Sequence, residues 1–361
     1  MTTTFDHGGT VFAVARSLGV SPEEILDFSA SINPLGPAPG VRAALSAAFD
    51  RLVHYPDSEA TELRETLAAH HGLSPDNIVV ANGSTELIYL APRLATGKRG
   101  LVVAPPFSEY GRSIARGGGE FDYLMLSPAS GFALDLSELR DRLRWGYDLL
   151  FLGNPGNPTG RLYRRAELEA VCRLCDEFGT FLVLDEAFMD FCEEESAKRL
   201  LAGWDGGLLL RSMTKFYGMP GLRLGYAIGA PETIGQIAVL REPWSVNTLA
   251  QVAGLASLAD ESYRRETIDY VTREREALFA ALAAQPGLQP FPTAANYLLV
   301  AIEDGPPAPD LARRLLADRI LIRDCSSFAG LGGRFFRVAV RTAAENGRLV
   351  ECLDRILKRD G

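Results

Sequence analysis

Short apolar runs alternate with amphipathic stretches from residue 77 to residue 229, the pattern of strands that cross over through helices into a mostly parallel sheet. Seven strands are predicted there, over residues 78–81, 100–104, 121–126, 149–153, 181–185, 208–211 and 224–228. Polar or glycine-bearing turns follow most of them, and in open α/β sheets ligands gather where strands run out into such loops. Chemistry is therefore expected at the strand ends.

After Leu249 the pattern changes to a long charged helix over 261–284, then to strand, helix, strand, strand and helix, with strands over 296–302, 320–323 and 334–340. The reading is an α/β protein with a large domain over 40–260 and a smaller α+β domain over 261–361. Residues 1–39 are too few to fold alone and are expected to pack on the smaller domain or on a partner subunit.

A chain of 361 residues that is 47% hydrophobic can bury one large core and a second, smaller one. Its net charge of -9 argues against neutralising nucleic-acid phosphates or an anionic membrane surface, so an anionic ligand must be met by a few local arginines. There is no apolar run of about 18 residues to cross a bilayer and no leader-like N-terminus, and a cytoplasmic protein is expected. Cys172, Cys175, Cys192, Cys325 and Cys352 form no disulfide framework. Cys172 and Cys175 fall inside a helical pattern, His7, His54, His70 and His71 lack ligand spacing, and no metal is expected.

Four motifs carry candidate chemistry. Ser212-Met213-Thr214-Lys215, with Arg223 eight residues further on, puts a lysine among hydroxyls just past a buried strand, which suits a lysine that bonds a cofactor beside a phosphate clamp. Alone, it would serve equally as a surface lysine. Asp185 ends an apolar strand in Asp185-Glu186-Ala187-Phe188, as either a carboxylate for a pyridine nitrogen or a helix cap. Asn154-Pro155-Gly156-Asn157-Pro158-Thr159-Gly160 is a rigid turn that can hold an asparagine amide toward a ligand oxygen, and Asn82-Gly83-Ser84-Thr85-Glu86 is either an anion site or a plain helix start.

Taken together and in this order, these motifs resemble the class I/II (fold-type I) aminotransferases over essentially the whole chain. The resemblance implies a pyridoxal 5'-phosphate (PLP) enzyme whose large domain holds a mostly parallel seven-stranded sheet, with a smaller α+β domain. It implies Lys215 as the cofactor lysine, Asp185 on the pyridine nitrogen and Asn157 on the phenolic oxygen. Gly83, Ser84, Ser212 and Arg223 would hold the phosphate, with Thr85 and Thr214 beside them. Tyr110 would stack on the cofactor, unless it is an ordinary helix-start aromatic. Tyr55 would reach the phosphate of a neighbouring subunit, which implies a homodimer. Phe188 stands where many relatives have a tyrosine, so one hydrogen bond to the ring oxygen is lost.

Within that family, His7-Gly8-Gly9-Thr10, Asp27-Phe28-Ser29-Ala30-Ser31-Ile32-Asn33-Pro34, Pro243-Trp244-Ser245-Val246-Asn247 and Ile320-Leu321-Ile322-Arg323-Asp324-Cys325 are similar to the L-threonine-O-3-phosphate decarboxylases of cobalamin biosynthesis. This implies a phosphorylated amino acid as substrate, held by His7, Gly8, Ser31, Asn33, Asn157, Arg323 and Arg337, and a product (R)-1-aminopropan-2-yl phosphate. Two fixed cations suit a substrate with a phosphate and a carboxylate, although either arginine could be a surface ion pair. Ser31 departs from the asparagine of the subfamily pattern and has a shorter reach. The rival is a histidinol-phosphate aminotransferase, transferring its amino group to 2-oxoglutarate. A non-catalytic ligand-sensing protein is disfavoured because the lysine and aspartate are both present.

Overall fold

Strands that are nearly continuous apolar runs need cover on both faces, and most of the predicted runs have that character. In the computed structural model, which describes residues 8–95 and 98–358, they form a seven-stranded sheet. After a short first strand, β1 (Leu26–Asp27), come β2 (Ile78–Ala81), β3 (Arg99–Ala104), β4 (Glu120–Met125), β5 (Leu149–Gly153), β6 (Phe181–Asp185), β7 (Gly207–Ser212) and β8 (Gly225–Gly229). Side chains alternate between the faces: Leu150 and Leu152 of β5 join one hydrophobic core, whereas Leu149 and Phe151 join the other.

The order across the sheet is β2-β8-β7-β6-β5-β3-β4. All neighbours run parallel except β8, which is antiparallel to both β2 and β7. The C-terminal ends of β2, β3, β5, β6 and β7 therefore share one edge. Because β8 runs the other way, the residues just before its start, including Arg223, arrive at that same edge.

The remaining strands are β9 (Leu288–Pro290), β10 (Tyr297–Ile302), β11 (Ile320–Leu321), β12 (Arg323–Asp324) and β13 (Phe335–Ala339). Four of them form a sheet in the order β12-β13-β10-β9. The predicted strand over 320–323 is broken: Ile320 and Leu321 pair in parallel with Leu26 and Asp27, while Arg323 and Asp324 pair with β13. One segment thus serves two sheets and changes partner at Ile322. The predicted long helix is Glu261–Ala283.

Residues 33–37 form a strap over the turn that follows β7. The Asn33 amide N–H donates to the Lys215 carbonyl at 3.0 Å, its side-chain amide donates to the Phe216 carbonyl at 2.8 Å, and the Tyr263 hydroxyl donates to the Gly36 carbonyl. Gly218 makes this close approach possible, since it has φ +66° and a Cβ there would lie 2.5 Å from the Gly36 carbonyl carbon. Gly218→Ala is expected to lower stability by about 2 kcal/mol or more through backbone strain plus the clash, measurable as a lower denaturation midpoint with an unchanged m-value.

Candidate functional site

The shared strand edge opens into a cavity of ≈ 600 Å³ that also reaches the four-stranded sheet and the segment beginning at Gly8. Among the described residues four cationic side chains line it, Lys215, Arg223, Arg323 and Arg337, against two carboxylates, Asp27 and Asp185. The surplus of positive charge in an acidic protein marks an anion site.

Lys215 follows β7 directly and faces the cavity. Dense packing around its amine, reinforced by the Arg223 and Arg337 guanidiniums and opposed by Asp185, pushes its pKa down to about 8. Roughly a tenth of the amine is then uncharged at pH 7, far more than for an ordinary lysine, and the neutral amine is the form a nucleophile requires. Asp185, at the end of β6, is buried; its Oδ2 accepts the Tyr110 hydroxyl at 2.6 Å and its Oδ1 the Ala187 amide N–H at 3.0 Å. Burial raises its pKa above the ordinary aspartate value, against the pull of those donors and of Lys215, so a cationic partner in the cavity would stabilise its ionised form.

The turns beside them supply hydroxyls and a clamp. Ser84, Thr85, Ser212 and Thr214 line the cavity, with Ser212 Oγ and Thr214 Oγ1 2.7 Å apart. Arg223 holds a left-handed backbone, φ 57°, a strained conformation for a non-glycine residue, and anchors one guanidinium nitrogen on the Pro220 carbonyl at 3.0 Å. Gly83 leaves room for it: a Cβ on Gly83 would lie 2.6 Å from Arg223 Nη2. Gly83 thus lies behind the guanidinium rather than among the lining residues.

On the opposite wall, Arg337 (β13) and Arg323 (β12) are only 6% and 7% exposed, so neither is a surface ion pair. Arg337 donates to Asn157 Oδ1 and, at 2.9 Å, to the Ser29 carbonyl, lies over the Tyr297 ring, and leaves Nε without a partner. Because Oδ1 of Asn157 accepts from arginine, the amide nitrogen is the end of that side chain left to donate into the cavity. Arg323 donates to Ser327 Oγ at 2.9 Å. Ser31, 3% exposed and lining the cavity, has a hydroxyl with no hydrogen-bond partner among the described residues. Gly8 packs so tightly on residue 29 that a Cβ would lie 2.1 Å from its carbonyl oxygen.

Some expected residues sit elsewhere. Asn33 is not at the cavity: its amide is spent on Phe216, on Thr267 Oγ1 and on the Leu35 N–H, so it braces the lysine turn instead of meeting a ligand. Tyr110 lines the cavity, but its ring is stacked on Phe151, 4.9 Å away and 4° from parallel, and its hydroxyl is committed to Asp185. Phe107, which the sequence reading passed over, also lines the cavity and meets Tyr110 edge-on; the Pro105-Pro106 pair before it was the available signal. Tyr55 is 79% exposed, against Trp244, and away from this chain's cavity. His7 lies outside the described residues. Phe188 is at the cavity wall, edge-on to Tyr297, and the Tyr297 hydroxyl donates to the Gly156 carbonyl at 2.6 Å.

The lowered lysine pKa has a stability consequence. Between about 8 and the ordinary lysine value of 10.5, the unfolded chain holds a proton on Lys215 that the folded protein does not, so folding becomes more favourable as pH rises through that window. Lys215→Met removes this dependence, and its stability advantage over the cofactor-free parent should shrink from pH 8 to pH 10.5 in urea unfolding.

Residues 23–353 match the model of the family described as aminotransferase class I and II. The threonine-phosphate decarboxylase of Salmonella typhimurium is 40% identical over 97% of this chain and 96% of that protein. A histidinol-phosphate aminotransferase of Symbiobacterium thermophilum is 35% identical, covering 97% and 95%. Among solved structures, histidinol-phosphate aminotransferase from Sinorhizobium meliloti in complex with pyridoxal-5'-phosphate superimposes with a TM-score of 0.87 at 26% identity, covering 99% of this chain and 100% of that one. With its motifs, sheet order and family match in agreement, the chain belongs to the class I and II aminotransferases.

Proposed function

We propose that the protein is a PLP-dependent enzyme that decarboxylates L-threonine O-3-phosphate to (R)-1-aminopropan-2-yl phosphate. The observation that carries this reading is the division of the cavity's cations: Lys215 and Arg223 at the large sheet's edge, Arg323 and Arg337 on the small sheet. One pole suits a phosphorylated cofactor bonded to the lysine, and the other suits a second, doubly anionic ligand.

The residues present fit PLP. Lys215 offers an amine of lowered pKa for its aldehyde carbon, and Asp185 a buried carboxylate for its pyridine nitrogen. Asn157 would offer its amide nitrogen to the phenolic oxygen. Ser84, Thr85, Ser212, Thr214 and Arg223 provide hydroxyls and a guanidinium for the phosphate, with Gly83 making room for the arginine. Phe107 offers an aromatic face at the cavity wall. When bound, PLP supplies an electron sink for the pair left as the Cα–carboxylate bond breaks.

The chain's own residues then decide which bond is presented for cleavage. Arg337 and Arg323 present planar donor forks to carboxylate or phosphate, and the unpartnered Ser31 hydroxyl can donate to an anionic oxygen. Arg337 is fixed by Asn157 and the Ser29 carbonyl, so it holds its ligand with little reorganisation. Phe188 brings no hydroxyl to its part of the wall. Overall, the carboxylate leaves as CO₂ and Cα gains a proton. The 40% identity to a threonine-phosphate decarboxylase supports this substrate, whereas the histidinol-phosphate aminotransferase relatives keep amino transfer as the second reading. Exposed Tyr55 would reach a neighbouring active site in a homodimer.

Purified, PLP-loaded protein is expected to release one CO₂ for each L-threonine O-3-phosphate consumed over many turnovers. Histidinol phosphate turnover with 2-oxoglutarate, without CO₂ from threonine phosphate, would instead establish the aminotransferase. Arg337→Met should lower kcat/KM by roughly 10²-fold, the scale of a lost charge-assisted hydrogen-bond pair, while PLP uptake is retained.

A further inference from the structure

Directly behind the cavity, on the other side of β6 and β7, lies a buried charge cluster that the proposed chemistry does not use. Arg211 and Glu186 are both fully buried and form an ion pair at 3.1 Å. Arg211 also meets Asp190 at 3.2 Å and Glu193. Glu186 accepts the Ser196 hydroxyl at 2.6 Å and the Ala197 N–H at 2.9 Å. Through Glu193, Lys198 and His71 the cluster reaches β8, where His71 Nε2 is 2.7 Å from the Tyr226 hydroxyl.

Glu186 and Arg211 each neighbour a cavity residue in sequence. Asp185 precedes Glu186 and Ser212 follows Arg211, and since side chains alternate along a strand, the cavity takes Asp185 and Ser212 while the cluster takes the other two. The Glu186 N–H donates to the Leu210 carbonyl at 2.8 Å, carrying the β6–β7 pairing one rung past Asp185. The ion pair therefore clamps from behind the two strand ends that hold Asp185 and the Ser212–Lys215 turn apart at the front. Buried ion pairs add little stability relative to packed apolar side chains because desolvation is costly, so a gain in stability does not account for this one.

We infer that Glu186 and Arg211 are positioning residues, whose ion pair sets the spacing between Asp185 and Lys215 and so the fit of the cofactor between them. The inference rests on the PLP reading. Glu186→Gln keeps the shape of the side chain and leaves Arg211 paired with Asp190 and Glu193. PLP affinity is to be measured by absorbance titration of the cofactor-free protein, the pH midpoint of the bound cofactor's spectrum is to be recorded, and the Tm of the cofactor-free forms compared. A PLP affinity lowered about tenfold or more, with a displaced spectral midpoint, is expected for E186Q, and a smaller loss for Glu186→Asp, which keeps the charge. A lowered Tm with affinity and midpoint equal to the parent's would show a merely structural pair and overturn the inference. Should E186Q fail to fold, Glu186→Asp gives the same reading: parental affinity and midpoint overturn the inference. Wild-type protein that takes up no PLP would overturn the cofactor reading, and this inference with it.

Discussion

A lysine ammonium largely removed from water, with two guanidiniums bearing on it and one carboxylate opposing them, is an unfavourable arrangement that the rest of the structure must sustain. Desolvation and like charge both push Lys215 toward its neutral form, and nothing in the lysine's local sequence compensates. The same packing that depresses its pKa raises that of Asp185. Burial shifts each group toward its neutral form, and a ligand carrying a phosphate and a protonatable ring nitrogen would relieve both.

The sheet order makes this juxtaposition possible. Asp185 ends β6, and Lys215 and Asn157 lie in the turns just past its parallel neighbours β7 and β5, so the strands bring all three to one edge. The reversed β8 brings Arg223 to the same edge, and the break at Ile322 lets one short segment hold both β1 and Arg323. Arg337 then links the two sheets by its bonds to Asn157 and Ser29. A cavity walled by two sheets and an N-terminal segment can read two anionic poles at once.

Much of this was legible in the sequence. The seven strands of the large sheet were predicted to within a residue or two, because fully buried runs such as 149–153 and 181–185 announce themselves by length and apolarity. β1 and β9 were missed: two or three residues are too few to show a period, and β1 exists only through a partner far along the chain, Ile320 and Leu321. Lys215, Asp185, Asn157, Arg223, Arg323 and Arg337 all meet at one cavity. Asn33 and Tyr110 show what motif reading leaves out. Both are polar groups near the site whose hydrogen bonds go to its framework, to Phe216 and to Asp185, and the partner a hydroxyl or amide takes is decided only by the fold. The pairing of Arg211 with Glu186 was invisible for the same reason, since 25 residues separate them.

We propose Lys215 as the residue on which PLP is carried. Protein loaded with PLP, treated with sodium borohydride to make any lysine–pyridoxyl link permanent, digested and analysed by mass spectrometry should carry the pyridoxyl mass on the peptide containing Lys215 and on no other. Label on a different lysine, or undiminished labelling of Lys215→Ala, would contradict the account.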